Sequence, residues 1–475
     1  MDRQVERVLL CLLQCEFFSR AIPVNGRGRL YVLSQLNCPC TAPALPKMAS
    51  QTGGGEGSSV TVATGANETN LRKRRSGTPD GRKQRRRDKK KNSSRRSSSP
   101  VSVNERRFRR TGDDHFAIEI GSPGGYEKLK VVRKKGAGSR GPNIAMMNVP
   151  EDQLVEIATD YCGVNYADVC VRWGLYESAK KFVGWPIVPG FEFSGTVLKV
   201  GSATTGLNVG DKVFGVTMFG GYSNSVVVPR AQVFPVPDEL KLEEAAAFPC
   251  VALTAWYAMF KLYQPHRGQS ILVHSAAGGV GSMLVQLGKI AGLKVVGVVG
   301  SSHKVQYAND LGCDLVIDKS KEDLWDRAKD FCPAGFDAIF DANGYTTLSG
   351  SYSHLCPAGR LIVYGFHSML PRVGGKLDMC AKFRMIWGWL TTPRFNPLDM
   401  TAANKSLLCF NLSFLFNKTE ILQEAMDDLL SHVKNGSLIV PKVVSFPMSR
   451  VASAHERIES GLTVGKLVLN TKQIV

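Results

Sequence analysis

No two of the chain's 12 cysteines stand three residues apart, which excludes a zinc ribbon or a CxxC redox pair. Nor do they form the framework of a secreted disulfide scaffold, so the sequence favours a reducing, cytoplasmic setting. Uncharged apolar runs are short as well: none reaches the roughly 18 residues that a membrane-spanning helix needs. The run from Val8 to Leu13 sits behind Asp2 and Glu6 and is too short for the core of a secretory signal. Acidic residues are scarce over one stretch in particular. Between Arg72 and Arg110, 18 Lys and Arg stand against Asp80, Asp88 and Glu105, so most of the net charge of +19 is concentrated there. The rest of the chain is nearly neutral, which argues against a basic surface spread over the whole protein.

Apolar residues are sparse before about residue 115. Gly/Ser/Thr-rich sequence from Gln51 to Thr69 runs into an Arg/Lys/Ser block, leaving too little apolar surface to offset the entropy of ordering. Residues 1–115 are therefore expected to be disordered. Met48 opens a polar stretch and reads as a natural start of translation, with the first 47 residues an upstream extension. Arg72-Lys73-Arg74-Arg75 with Arg82 to Lys91 fits a solvated tail, a bipartite nuclear import signal, or a patch for RNA or anionic lipid. Nucleic acid is the weakest of these partners, because no aromatic residues are interleaved to stack on bases. The serines from Ser93 to Ser99, beside Arg95 and Arg96, are candidate phosphorylation sites that would cancel part of the charge.

A chain of 475 residues that is 43% apolar can fill two cores. From Phe116, short alternating runs such as Gln153 to Ala158, Phe193 to Val200 and Lys212 to Val216 predict a strand-rich domain over 116–244. From Ala245 the pattern changes. Apolar strands at Ser270 to His274, Lys294 to Val299, Leu315 to Ile317, Ala338 to Phe340 and Leu361 to Tyr364 alternate with helical stretches, which predicts a parallel sheet over 245–418. Residues 419–475 should supply a helix, a strand, a second helix near Met448 and a closing strand at Lys466 to Leu469, returning to the first domain.

The strand Ser270 to His274 runs into Ser275-Ala276-Ala277-Gly278-Gly279-Val280-Gly281 and then a helix from about Ser282 to Ala291. A glycine at Gly278 lets backbone approach a pyrophosphate, and Gly281 allows helix to pack closely on strand. The helix N-terminus, with Ala277, Gly279 and Val280, offers N–H groups to the anion. At the end of the next strand an acid would bind a ribose 2′-hydroxyl, but Val298-Val299-Gly300-Ser301-Ser302-His303-Lys304 has none. Ser301, Ser302 and Lys304 could instead receive a 2′-phosphate, favouring NADPH over NADH.

Cys162-Gly163-Val164-Asn165-Tyr166-Ala167-Asp168 with Arg172, Gly174 and Tyr176, then Val188-Pro189-Gly190-Phe191-Glu192, the glycine turn, and Ala454-His455 before Gly465-Lys466 resemble a known family. It is the zinc-free quinone oxidoreductase branch of the medium-chain dehydrogenase/reductases. Within it, Asn396-Pro397-Leu398-Asp399-Met400 and Asn404-Lys405-Ser406 leading into Phe410-Asn411-Leu412 resemble the vesicle amine transport protein homologues. The resemblance implies an α/β chain with a GroES-like, β-rich catalytic domain built from both ends and a Rossmann doubly wound parallel sheet inserted between them. It also implies a homodimer. Zinc relatives carry Cys where this chain has Asn165 and His where it has Phe191, and Cys250 falls near a third ligand position. Amide and phenyl groups do not ligate zinc, so no metal is expected.

The family chemistry implied is hydride transfer from NADPH to a small-molecule quinone or activated enone, whose negative charge is delocalised. Asn165 would hydrogen-bond the acceptor carbonyl, and Tyr176 would stabilise an oxyanion or relay a proton, unless it only packs. The resemblance carries Thr254 and Lys466 to the nicotinamide side, Asn343 and Gly344 to the adenosine side, and Tyr364 and Phe366 to a strand end above the cofactor. Lys319 stands where relatives place a tyrosine on the 2′-phosphate. From Lys376 to Leu390, cations mix with Trp387 and Trp389, a pattern that suits peripheral membrane contact, a lid on the cleft or a dimer interface. A membrane-associated or regulatory protein that binds NADPH with little turnover is the alternative reading.

Overall fold

The computed structural model describes residues 114–370 and 379–474. The expectations for the glycine-rich stretch, the basic block and the chain up to residue 113 lie outside the described residues.

A short ladder of β1 (His115–Ile120) on β2 (Leu129–Lys134) opens the described chain. Six strands follow: β3 (Ser139–Arg140), β4 (Leu154–Val164), β5 (Glu192–Val200), β6 (Lys212–Val216), β7 (Ser225–Pro229) and β8 (Val233–Pro235). The next six are β9 (Ser270–His274), β10 (Lys294–Val299), β11 (Leu315–Asp318), β12 (Phe336–Asp341), β13 (Leu355–Val363) and β14 (Ser406–Cys409), and the last are β15 (Val443–Pro447) and β16 (Lys466–Asn470).

Strands β9 to β14 make one sheet in the order β11-β10-β9-β12-β13-β14, with every pairing parallel. This is the doubly wound arrangement, whose crevice opens between the ends of β9 and β12, where the strand order reverses. Its central strands β9, β10 and β12 are apolar and largely buried on both faces. Ile271 and Val273 enter one core, and Leu272 between them enters another. Sequence periodicity locates these strands closely. Two departures stand out: β14 is a strand that periodicity does not indicate, and β13 begins at Leu355 rather than Leu361, accommodating Pro357 through a register shift against β12 and a positive φ at Ala358.

The eight-stranded sheet holds both ends of the described chain together: β16 pairs antiparallel with β4, with Leu467 opposite Val164. That register sets Lys466 beside Asn165, a neighbourhood that sequence separation conceals. Six helices matter for the site: α1 (Tyr166–Arg172), α2 (Pro249–Trp256), α3 (Gly279–Ile290), α4 (Met379–Leu390), α5 (Thr419–Lys434) and α6 (Val451–Glu459). Buried residues of α2, α3 and α5 join both sheets in one continuous apolar core running from Ile118 through Phe248 and Val273 to Leu469. Each fully buried aliphatic side chain there contributes about 1.5–3 kcal/mol relative to exposure.

Candidate functional site

The glycine turn begins where β9 ends. Ser275 takes a φ of 56°, and Ala276 donates its N–H to Val298 of β10 at 3.0 Å, which swings the chain over the sheet edge. Gly278 then bonds back to Ser275 at 2.8 Å and serves as the N-cap. Helix α3 therefore starts at Gly279, three residues before the position that sequence spacing suggests, because glycines tolerate the tight entry. By helical geometry its first amides, those of Gly279, Val280 and Gly281, lack intrahelical acceptors and point from the N-terminus. A Cβ at Gly281 would lie 2.2 Å from the Ser275 carbonyl, so only glycine fits. The Ala277 carbonyl accepts from Gly465 at 2.9 Å, tying the turn to the start of β16.

Across the crevice, Ser275 Oγ donates to Asn343 Oδ1 at 3.1 Å, so the ends of β9 and β12 meet as the strand order requires. Buried Asp341 organises this side by accepting from the Asn343 and Gly344 amides at 2.7 and 3.1 Å and from the Ser351 hydroxyl at 2.9 Å. Gly344 has a φ of 89° and packs on Phe366, where a Cβ would meet the ring at 2.8 Å. The Tyr364 hydroxyl is buried with no hydrogen-bond partner, an acceptor and donor left to a ligand or to water. Thr254 instead donates to Cys250 O of its own helix at 2.6 Å.

At the end of β10, Ser301 pairs with His303 at 3.2 Å, and Lys304 donates to the Gly461 carbonyl. Burial first, then the charges of Arg457 and Lys319, depress the Lys304 ammonium below its ordinary value. That mutual repulsion identifies a cationic cluster, with Arg457 of α6 a member that linear spacing could not reveal. An acid also enters. Ser302 Oγ donates to Asp318 Oδ2 at 2.7 Å, because the β10–β11 pairing sets Asp318 opposite Val299.

Asn165 precedes α1 and has its own amide bonded to Asp168 Oδ2 at 2.8 Å. Its carboxamide joins a buried charged pair: Lys466 Nζ donates to Asn165 Oδ1 at 2.7 Å and also ion-pairs with Glu192, while Asn165 Nδ2 donates to Glu192 Oε1 at 2.8 Å. Tyr176 stands near Phe191, ring centroids 5.5 Å apart, and its hydroxyl donates to Asn411 Oδ1 at 2.9 Å. Burial raises the Tyr176 phenol far above its ordinary value, outweighing the opposing influence of the Ser413 and Asn411 side chains, so it stays neutral. Sequence reasoning singled out neither Glu192 nor Asn411 as a partner; an acid after Pro-Gly-Phe inside an apolar strand was the available signal for the first.

The description "Alcohol dehydrogenase GroES-like domain" matches residues 151–238, and "Zinc-binding dehydrogenase" matches residues 279–385. The zebrafish (Danio rerio) synaptic vesicle membrane protein VAT-1 homolog is 30% identical over 357 residues, covering 75% of this chain and 70% of that protein. A probable quinone oxidoreductase of Leishmania amazonensis is 30% identical over 356 residues, covering 74% of this chain and 99% of that one. The solved structure of Escherichia coli quinone oxidoreductase complexed with NADPH superimposes with a TM-score of 0.63 at 26% identity, covering 75% of this chain and 99% of its own.

Zinc, which the second description suggests, does not fit the residues present. Asn165 and Phe191 offer no thiolate or imidazole, and Glu192, the anion beside them, already faces the Lys466 ammonium. Cys250 is held as a thiol by burial and donates to the Phe191 carbonyl at 3.5 Å. Two matched domains in sequence order, the relatives' identity and coverage, and this donor set agree. The chain belongs to the quinone oxidoreductase and vesicle amine transport protein homologue branch of the medium-chain dehydrogenase/reductase superfamily.

Proposed function

We propose that this oxidoreductase-family chain is an NADPH-dependent, zinc-independent reductase of quinones or activated enones. The observation that supports the reading most strongly is the Gly465 to Ala277 bond, which joins the anion-cradling glycine turn to the strand bearing Lys466 and hence to Asn165. The turn suits a pyrophosphate: three helix N-terminal amides, a glycine that no other residue can replace, and no acid within the turn. Ser301, Ser302, Lys304 and Lys319 suit the 2′-phosphate, Asn343 and Gly344 the adenosine side, Thr254 the nicotinamide side, and Tyr364 and Phe366 the strand end above the cofactor, while Lys466, which the resemblance also carries to the nicotinamide side, has its ammonium engaged by Val164, Asn165 and Glu192. NADPH, when bound, supplies hydride from C4 of its nicotinamide.

The chain's own residues bind, orient and exclude water. A second N–H on Asn165 Nδ2 can donate to an acceptor carbonyl as negative charge develops there, and Tyr176, packed on Phe191, stays neutral. Quinones and enones suit a site whose oxygen meets an amide rather than a metal ion, because their charge is spread over a π system. The test is NADPH consumption by the purified chain against quinones and enones, with NADH alongside. Saturable turnover with NADPH preferred is the expected result; tight NADPH binding without turnover would overturn it.

One observation favours a second reading. Helix α4 exposes Phe383, Ile386, Trp387, Trp389 and Leu390 beside Arg384, with Trp389 67% exposed. The lysines at 376 and 382, which the sequence reading grouped with them, lie outside the described side chains. Such a face suits a membrane surface. Co-sedimentation with anionic vesicles, lost on Trp387→Ser/Trp389→Ser, would support a membrane-associated role alongside or instead of turnover. A homodimer is proposed from family membership alone.

A further inference from the structure

Three acceptors surround the Lys466 ammonium: the Val164 carbonyl at 2.9 Å, Asn165 Oδ1 at 2.7 Å and Glu192 Oε1. An ammonium has three hydrogens, so each is engaged and none is left to reach a substrate. Lys466 is 4% exposed and Glu192 0%, and their ion pair is closed further by the Cys250 amide, which donates to Glu192 Oε2 at 2.8 Å. Asn165 is the one member of the trio that is only half-buried.

This arrangement decides which way the Asn165 amide points. Lysine has no acceptor, so the atom facing it must be the carboxamide oxygen; Glu192 as an anion has no donor, so the atom facing it must be the nitrogen. One Nδ2 hydrogen goes to Glu192, and the other is the trio's single uncommitted donor. A free asparagine would flip and present oxygen to an incoming carbonyl about as readily as nitrogen. The lysine stem is also packed on the nucleotide turn, since a Cβ at Gly279 would lie 3.4 Å from Lys466 Cδ.

We propose that Lys466 is the positioning residue of the hydride-acceptor site: its ammonium, with Glu192, locks the Asn165 amide so that an N–H faces the acceptor carbonyl. The inference rests on the reductase reading and deepens it. Lys466 does not bind the acceptor; it orders the group that does, and it couples that group to the cofactor turn.

The test is a double-mutant cycle in the full-length protein, with NADPH and a 1,4-naphthoquinone. Lys466→Met should lower kcat on the order of 100-fold, the cost of a misplaced donor, while the NADPH dissociation constant measured by fluorescence is retained. Adding Lys466→Met to Asn165→Ala should cause little further loss, because the two act in series. Losses that multiply would overturn the proposal. Lys466→Met leaves Glu192 buried without its counter-ion and risks misfolding, so Lys466→Met/Glu192→Gln supplies a neutral version of the same cycle. Recovery of kcat in that variant would reduce the lysine to charge compensation and equally overturn it. If the wild-type protein reduces no quinone, the reductase reading fails separately. The assignment then stands or falls on a redox-inert naphthyl ketone titrated into the NADP+ complex: about tenfold weaker binding in Lys466→Met supports it, and unchanged binding refutes it.

Discussion

Ser302 and Asp318 face each other across the ends of β10 and β11, hydroxyl to carboxylate at 2.7 Å. The Ser320 and Ser302 hydroxyls hold the Asp318 carboxyl below the usual carboxylate range, so it is ionised at neutral pH. A negative charge thus lies at the edge of the cluster proposed for the 2′-phosphate. Asp318→Asn should raise the preference for NADPH over NADH about fivefold, by removing like-charge repulsion while keeping an acceptor for Ser302. The ratio of kcat/KM for the two cofactors reads it directly; an unchanged or lowered ratio would place the phosphate elsewhere.

Lys304 currently donates to the Gly461 carbonyl, and burial makes its charge costly to hold there. A phosphate would be a better partner than a neutral carbonyl, because a charge-assisted hydrogen bond is roughly twice as strong. Lys304→Ala should raise the KM for NADPH about tenfold and leave that for NADH nearly unchanged. Equal losses for both cofactors would mean that Lys304 serves the fold instead.

Gly281→Ala tests the turn itself. The added Cβ would meet the Ser275 carbonyl at 2.2 Å, with the Ser275 carbonyl carbon at 2.8 Å and Ala276 Cα at 2.9 Å, all backbone atoms that cannot rotate away. Relief requires α3 to move off β9, and the expected cost is about 3 kcal/mol of stability with loss of nucleotide binding. A lowered unfolding midpoint with intact NADPH affinity would show that the pyrophosphate does not use this turn.

The sequence made the parallel sheet legible because its strands are continuous apolar runs between glycine turns, as in Ser270 to His274 and Lys294 to Val299. The return of the closing strand to the first domain was legible in the final segment, but its register was not, since no local pattern says that Leu467 pairs with Val164. Site residues divide the same way. The glycine turn is contiguous, and spacing alone finds it. Arg457 near Lys304, Asp318 on Ser302 and Glu192 under Lys466 are brought together by strand register and helix packing, which a linear reading does not contain. No acid follows β10 in the sequence, but Asp318 arrives from the end of β11.

A buried polar chain beneath α1 links stability to pH. Arg172 Nη1 lies 3.2 Å from His455 Nδ1, and His455 Nε2 lies 3.3 Å from the Tyr222 hydroxyl, which donates to Asp168 Oδ2 at 3.1 Å. Arginine only donates, so Nδ1 must accept and the histidine proton sits on Nε2, giving one consistent direction through the chain. Arg172 also ion-pairs with Glu459, both fully desolvated. Burial, and then the Arg172 charge, hold His455 well below its ordinary value of 6.5, and burial depresses His274 in the same direction. In the unfolded chain these histidines take up protons as pH falls through their ordinary range, whereas in the folded protein they do not. Through these histidines the unfolded state binds more protons, so their share of stability is complete above the ordinary histidine range and declines as pH drops below it, by up to about 1.4 kcal/mol per pH unit for each, while Asp168, pushed up to about 7 by burial, contributes in the opposite sense. His455→Gln preserves an acceptor for Arg172 and a donor for Tyr222 without a titrating ring. Its unfolding midpoint, followed from about pH 7.5 to about pH 5, should fall less steeply than that of the wild-type protein. Parallel curves would mean that His455 is already charged in the folded state, with both ring nitrogens donating, and the hydrogen bond from Arg172 to Nδ1 would have to be given up.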